Sequence, residues 1–139
     1  MSALSQSIAM FGRLHPLSVH LPIGFLLALV VLEVVAYSQR TSLPRTTISV
    51  LVWLAALSAV FTAASGYVLS NEDGYGTSTV TLHMRLGIAV AVGSVALAVV
   101  HLRAGEGTRS GGLTAYRALL GALVLLILPT GHLGGTIAH

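Results

Sequence analysis

The sequence has no cysteine and no lysine among its 139 residues, and only 8% of them are charged. Without cysteine there is no disulfide framework, thiolate zinc site, iron–sulfur cluster or cysteine nucleophile. Covalent c-type haem attachment, which needs C-x-x-C-H, is excluded as well. A soluble domain carries about 25% charged residues, so this chain lacks the surface of one. Seven arginines against four acids leave a net charge of +3, spread over the connections. That is no nucleic-acid footprint, which needs a basic patch or stripe on one face. Gly-x-Gly phosphate loops, Ser/His/Asp triads and H-E-x-x-H zinc motifs are also missing. No nucleophile or general-base constellation remains, so catalysis by this chain on its own is not expected. What is present is 55% hydrophobic residues and a mean hydropathy of +0.89. They come in blocks long enough to cross a bilayer, which identifies an integral membrane protein.

Four apolar blocks predict helices over about 16–38, 47–69, 81–102 and 114–137 of one domain, 1–139. Each approaches the ~20 residues that cross ~30 Å of hydrocarbon. The first block is too long for a cleavable leader and lacks a basic n-region. The third must borrow His83, Met84 and Arg85 to reach across. The fourth must run on through Pro129, Gly131, His132, Gly134 and Gly135. Backbone of that kind at membrane depth is tolerated only inside protein or along a cavity. The connections Ser38–Thr47, Ser70–Thr81 and Arg103–Thr114 are short, and the last carries Gly105, Gly107, Gly111 and Gly112. Short loops make sequential helices antiparallel neighbours. The expected fold is all-α: an integral membrane up-down-up-down four-helix bundle. The sequence displays no internal repeat and no separable second domain.

Arg40, Arg45, Arg103, Arg109 and Arg117 fall on one side of the membrane, against Arg13 and Arg85 on the other. The positive-inside rule then makes the first side cytoplasmic and puts both termini on the outer, periplasmic side.

Five of the six histidines converge on that outer side. His15 and His20 open the first helix, His83 opens the third, and His132 and His139 close the fourth; His101 stands alone at the opposite end. At 1.5 Å per residue, His20 is about 7.5 Å deeper than His15, and His132 about 10 Å deeper than His139. This predicts an inner layer of His20, His83 and His132 and an outer layer of His15 and His139. The first and third helices are diagonal in such a bundle, so His20 and His83 can face each other.

Ionisable residues in membrane segments usually face the interior or a cavity, and a neutral imidazole is an excellent ligand. Two facing imidazoles suit a b-type haem held by axial bonds. His20 and His83 are the preferred pair, with His15 and His132 as a second pair or as supporting donors. Gly24, Gly87, Ala89, Gly131, Gly134 and Gly135 leave room for a macrocycle, and Arg85 is placed for a propionate. The competing reading of the same histidines is a hydrogen-bonded network that fixes helix packing. Small residues likewise serve close helix contacts in membranes. Zinc or copper on His20, His83 and His132 is a third option. Glu33 is expected to pair with His101 or Arg103 in a structural role, and Glu72 and Asp73 to be solvated turn residues. Pro16 suits a first helical turn. Pro22 and Pro129 each free a carbonyl one turn earlier, beside the histidine layer.

The segments GRLHPLSVHLPIG (12–24), SGYVLS (65–70), LHMRLGI (82–88) and TGHLGGTIAH (130–139) occur in this order. Together they resemble a bacterial four-helix membrane domain of unknown function with an H-P-x-x-V-H-x-P-I opening. In some bacteria that domain precedes a c-type cytochrome module in one polypeptide. The resemblance covers essentially the whole chain and implies a multi-pass protein of the bacterial cytoplasmic membrane. It marks His15, His20, His83 and His132 as motif histidines, with His139 closing the last motif. The cytochrome association implies a redox setting: one haem b, or two close ones, relaying electrons on the outer side. The expected partners are lipid, a separate redox subunit such as a c-type cytochrome, and a quinol. The chain ends at His139 with no C-x-x-C-H module, so a cytochrome partner is expected to be a separate subunit. The non-redox alternative is an accessory or scaffolding subunit of a larger membrane complex.

Overall fold

The computed structural model describes residues 3–72, 77–104 and 110–138. The helices in chain order are α1 (Ala3–Arg13), α2 (His15–Ser18), α3 (His20–Ser38), α4 (Arg45–Leu69), α5 (Ser78–Arg103) and α6 (Ser110–Ala138). The first three run on as one segment, Ala3–Ser38. Their joints, Leu14 and Val19, keep right-handed helical dihedrals. The interruptions coincide with Pro16 and Pro22, which have no N–H to give to the carbonyls of Gly12 and Ser18. Among the described residues four helical segments are long and apolar enough to cross a membrane. They fall on the four expected blocks. The first begins earlier than expected because Leu4, Ile8 and Phe11 form one apolar stripe at helical spacing, although α1 is too polar to span alone.

Antiparallel neighbours close a ring. α3 packs on α4, α4 on α5, α5 on α6 and α6 back on α3, while among the described residues the backbones of α3 and α5, and of α4 and α6, do not come close together. Arg40 turns the chain out of α3 at φ 52°, with Thr41 N–H bonded to the Ala36 carbonyl at 3.0 Å and Arg40 N–H to that of Tyr37. This is a Schellman cap with arginine in the position glycine usually takes. Thr77 caps α5 by accepting the Val80 N–H. Asp73, Gly105, Gly107, Arg109 and His139 lie outside the described residues.

Leu26, Leu29, Val52 and Leu97 are fully buried at the centre, whereas Leu27, Val31, Leu57, Val92 and Leu125 cover the outside. An apolar exterior of this extent is what hydrocarbon tails wet. Lipid is as apolar as leucine, so close packing holds such helices together. Ala55, Ala56 and Ala59 give α4 a small buried face. A Cβ on Gly93 would come within 2.6 Å of Leu123, so α5 and α6 interlock at a leucine-in-notch contact.

The core repeats itself. Seven buried positions have buried counterparts 68 residues later: Pro22 and Val90, Leu26 and Ser94, Leu29 and Leu97, Ile48 and Tyr116, Val52 and Leu120, Ala55 and Leu123, Ala59 and Ile127. The two antiparallel helix pairs are thus equivalent halves about an axis along the bundle. This repeat was not expected from the sequence. Its counterparts differ in type at most positions, because burial is held in common while side-chain size is not.

The histidine cavity

A cavity of about 630 Å³ opens at one end of the bundle, lined by all four spanning segments. It lies in the roughly 300–1,000 Å³ range of small-molecule and cofactor sites. His15 reaches it from α2 and His83 from α5. Their ring centroids are 6.0 Å apart and their planes stand at 79° to each other.

The two histidines are held in the same way. His15 Nδ1 is 2.9 Å from the Thr62 carbonyl of α4, and His83 Nδ1 is 3.0 Å from the Thr130 carbonyl of α6. Both bonds span 47 residues. One turn further on, Gly66 and Gly134 leave the space that each ring fills. A Cβ at Gly66 would stand 2.7 Å from His15 Cε1, and one at Gly134 would stand 3.0 Å from His83 Cε1. The sequence pattern is therefore His with Thr-x-x-x-Gly on the next helix, present twice. A carbonyl accepts, so each Nδ1 carries the hydrogen and each Nε2 keeps its lone pair. A ring whose Nδ1 donates to a carbonyl while Nε2 stays free is the usual form of a metal-binding imidazole.

The halves differ in how the threonine is fixed. Pro22 has no N–H for the Ser18 carbonyl, and the Thr62 hydroxyl donates to it across the helix boundary at 3.1 Å. In the other half the equivalent of Pro22 is Val90, which has an N–H. There the Thr130 hydroxyl turns back to the Leu126 carbonyl in its own helix, at 2.7 Å. The proline thus ties α2 to α4 through a bond that has no counterpart between α5 and α6.

The remaining candidates are placed differently. His20 lines the cavity at its exposed rim, with Nδ1 3.4 Å from the Leu17 carbonyl. His15, not His20, stands opposite His83. The expected layering changes accordingly: His15 and His83 share a level because they occupy equivalent places against Thr62 and Thr130. His132 and Arg85 are exposed and outside the lining. Gly87, Gly131, Gly134 and Gly135 line the cavity, while Gly24 and Ala89 do not. Among the described residues no three His, Asp or Glu side chains converge on a metal-sized site. His20, His83 and His132 therefore do not form a three-imidazole set.

At the opposite end Glu33 bonds Arg117 at 2.8 Å, not His101 or Arg103. α6 is the neighbour of α3 there, whereas α5 is diagonal to it. His101 Nε2 is 2.8 Å from the Ser49 hydroxyl. Glu33 and His101 are equivalent positions, as are Ser49 and Arg117. The two contacts are the same contact filled with different chemistry.

With this geometry in place, residues 13–139 match the family model described as predicted membrane protein, DUF2231, and the chain belongs to that family. No curated protein and no solved structure matches it.

Proposed function

We propose that the chain is a b-type cytochrome-like membrane protein that holds one haem between His15 and His83. The carrying observation is the matched pair of rings, each anchored at Nδ1 by a backbone carbonyl with Nε2 left over. Two imidazoles bonded on opposite sides of one metal at about 2 Å have ring centroids roughly 6 Å apart. The observed separation of 6.0 Å fits that requirement. Planar haem also suits a cavity whose walls are equivalent about one axis. Ala59, Ala63 and Gly131 keep those walls low where a macrocycle edge would lie.

Haem, when bound, supplies reversible one-electron chemistry. The protein's residues set its conditions. The Thr62 and Thr130 carbonyls make the imidazoles more basic, and the apolar walls keep water out. No second histidine pair lies at the His101 end, so the relay is confined to the cavity end. By arginine distribution that end is the outer face of a bacterial cytoplasmic membrane. A separate one-electron carrier protein, such as a c-type cytochrome, is the partner this implies.

A second reading rests on the same bonds. His15 ties α2 to α4, and His83 ties α5 to α6, whether or not anything lies between them. On this reading the pair is a packing device in an accessory subunit. A reduced-minus-oxidised spectrum of detergent-purified protein, with a pyridine haemochrome assay, separates the two. Sharp α and Soret bands with extractable haem b are expected. A colourless protein, purified with its membrane partners and after haem supplementation, overturns the haem reading and leaves the packing device.

A further inference from the structure

The two halves are equivalent in backbone but not in the bulk they place at the cavity's sides. Two lateral seams flank the cavity, one between α4 and α5 and one between α3 and α6. At the α4–α5 seam stand Met84, Tyr67 and Ala63. Their counterparts at the α3–α6 seam are Pro16, Gly135 and Gly131, all smaller. A Cβ at Gly131 or Gly135 would meet nothing within 4 Å. The helices also touch less there than across α4 and α5. Side-chain bulk has thus been removed at one seam and kept at the other.

The same seam carries histidines where the other carries none. His20, exposed and lining the cavity, replaces Ile88 of the other half. His132, exposed on α6, replaces Ala64. At 100° per residue His132 lies about 60° around α6 from Arg117, the residue that reaches α3. By helical rise His20 is about 7.5 Å deeper than His15, and His132 stands near the level of the His15–His83 pair. Two imidazoles at different depths therefore stand beside this seam, His20 on the cavity lining and His132 outside it.

We propose that the α3–α6 seam is a lateral docking site for a membrane hydroquinone, whose ring enters between Gly131 and Gly135 and whose hydroxyls donate to His20 and His132. An apolar ring reaches the seam only from lipid, and hydroxyls at opposite ends match acceptors at two depths. The site rests on the haem reading for its purpose: the hydroquinone is the reductant, and a haem held by His15 and His83 would supply the one-electron acceptor. For each electron that leaves, one hydroxyl proton passes to a histidine. Full oxidation to the quinone releases two electrons and two protons: the protons go to His20 and His132, and the electrons would leave, one at a time, to the one-electron carrier protein on the outer side.

The test uses the full chain in proteoliposomes with an azido-substituted ubiquinone as photoaffinity probe and decylubiquinol as reductant. Irradiation is expected to label α3 and the 131–137 stretch of α6. Gly131→Leu with Gly135→Leu, which fills the seam, is expected to lower labelling about tenfold, and to lower quinol-driven reduction by a similar factor per haem still bound. Ile88→Phe, at the equivalent place in the other half, should leave both intact. Labelling at the α4–α5 seam, or spread evenly over lipid-facing positions, overturns the proposal. Failure of the haem reading is separate. Colourless protein still labelled at the α3–α6 seam keeps the docking site, and coloured protein without seam labelling removes it.

Discussion

His15 and His83 stand 6.0 Å apart by ring centroid, and each is anchored to its neighbouring helix by the same bond at the same sequence separation. Equivalence makes a quantitative prediction. His15→Ala and His83→Ala should remove bound haem to the same extent, whereas His132→Ala should leave the haem content unchanged. Haem per protein by pyridine haemochrome checks this. Retention in either of the first two variants would exclude that histidine as a ligand.

The sequence displays the four crossings, their boundaries to within a few residues for three of them, and the concentration of histidines at one end. It conceals which histidines meet. Helical rise pairs His20 with His83 by depth, but rise says nothing of rotation, and the break at Val19 lies between His15 and His20. The internal repeat is concealed for a different reason. Packing keeps burial rather than residue type, so Phe25 and Ala55 correspond to Gly93 and Leu123, with the larger side chain on the other helix. Glu33 and His101 correspond without sharing charge. The signal that survives is the doubled His, Thr-x-x-x-Gly pattern, visible only when two distant helices are compared at a fixed offset. The Glu33–Arg117 pair is not legible in the sequence because its partners belong to segments adjacent only through ring closure.

The glycine notches predict graded damage. Gly66→Ala puts a methyl 2.7 Å from His15 Cε1 and 2.8 Å from Nδ1, while Gly134→Ala approaches His83 only to 3.0 Å. Overpacking of this kind costs about 1–3 kcal/mol, and the Gly66 variant should lie at the upper end. Gly87→Ala meets nothing within 4 Å and serves as the control. Thermal unfolding in detergent ranks the three, and equal midpoints for Gly66→Ala and Gly87→Ala would contradict the notch.

Tyr116 is buried to 3% exposure, and its hydroxyl has no hydrogen-bond partner among the described residues. A buried hydroxyl left unsatisfied costs about 1–3 kcal/mol. Its counterpart Ile48 fills the same place with an apolar side chain. Tyr116→Phe is therefore expected to hold or raise the unfolding midpoint, with no change in haem content. A clear loss of stability would mean that the hydroxyl is bonded, through water or lipid, to a group beside it.

Pro22 and Thr62 form the sharpest test of how the cavity is built. Thr62→Val removes the donor to the Ser18 carbonyl and leaves that buried acceptor unsatisfied, a cost of about 1–3 kcal/mol. Pro22→Ala returns a backbone N–H to the same carbonyl, since residue 22 is one helical turn beyond residue 18. The cost of Thr62→Val should therefore shrink in the Pro22→Ala background. This coupling is measurable as the interaction energy of a double-mutant cycle. Thr130→Val provides the internal comparison. Its hydroxyl bonds the Leu126 carbonyl, which the helix ladder already supplies with the Thr130 N–H, so the loss there should be smaller. Additive effects of Thr62→Val and Pro22→Ala would show that proline and threonine act separately. The α2–α4 tie would then not be the consequence of the missing N–H.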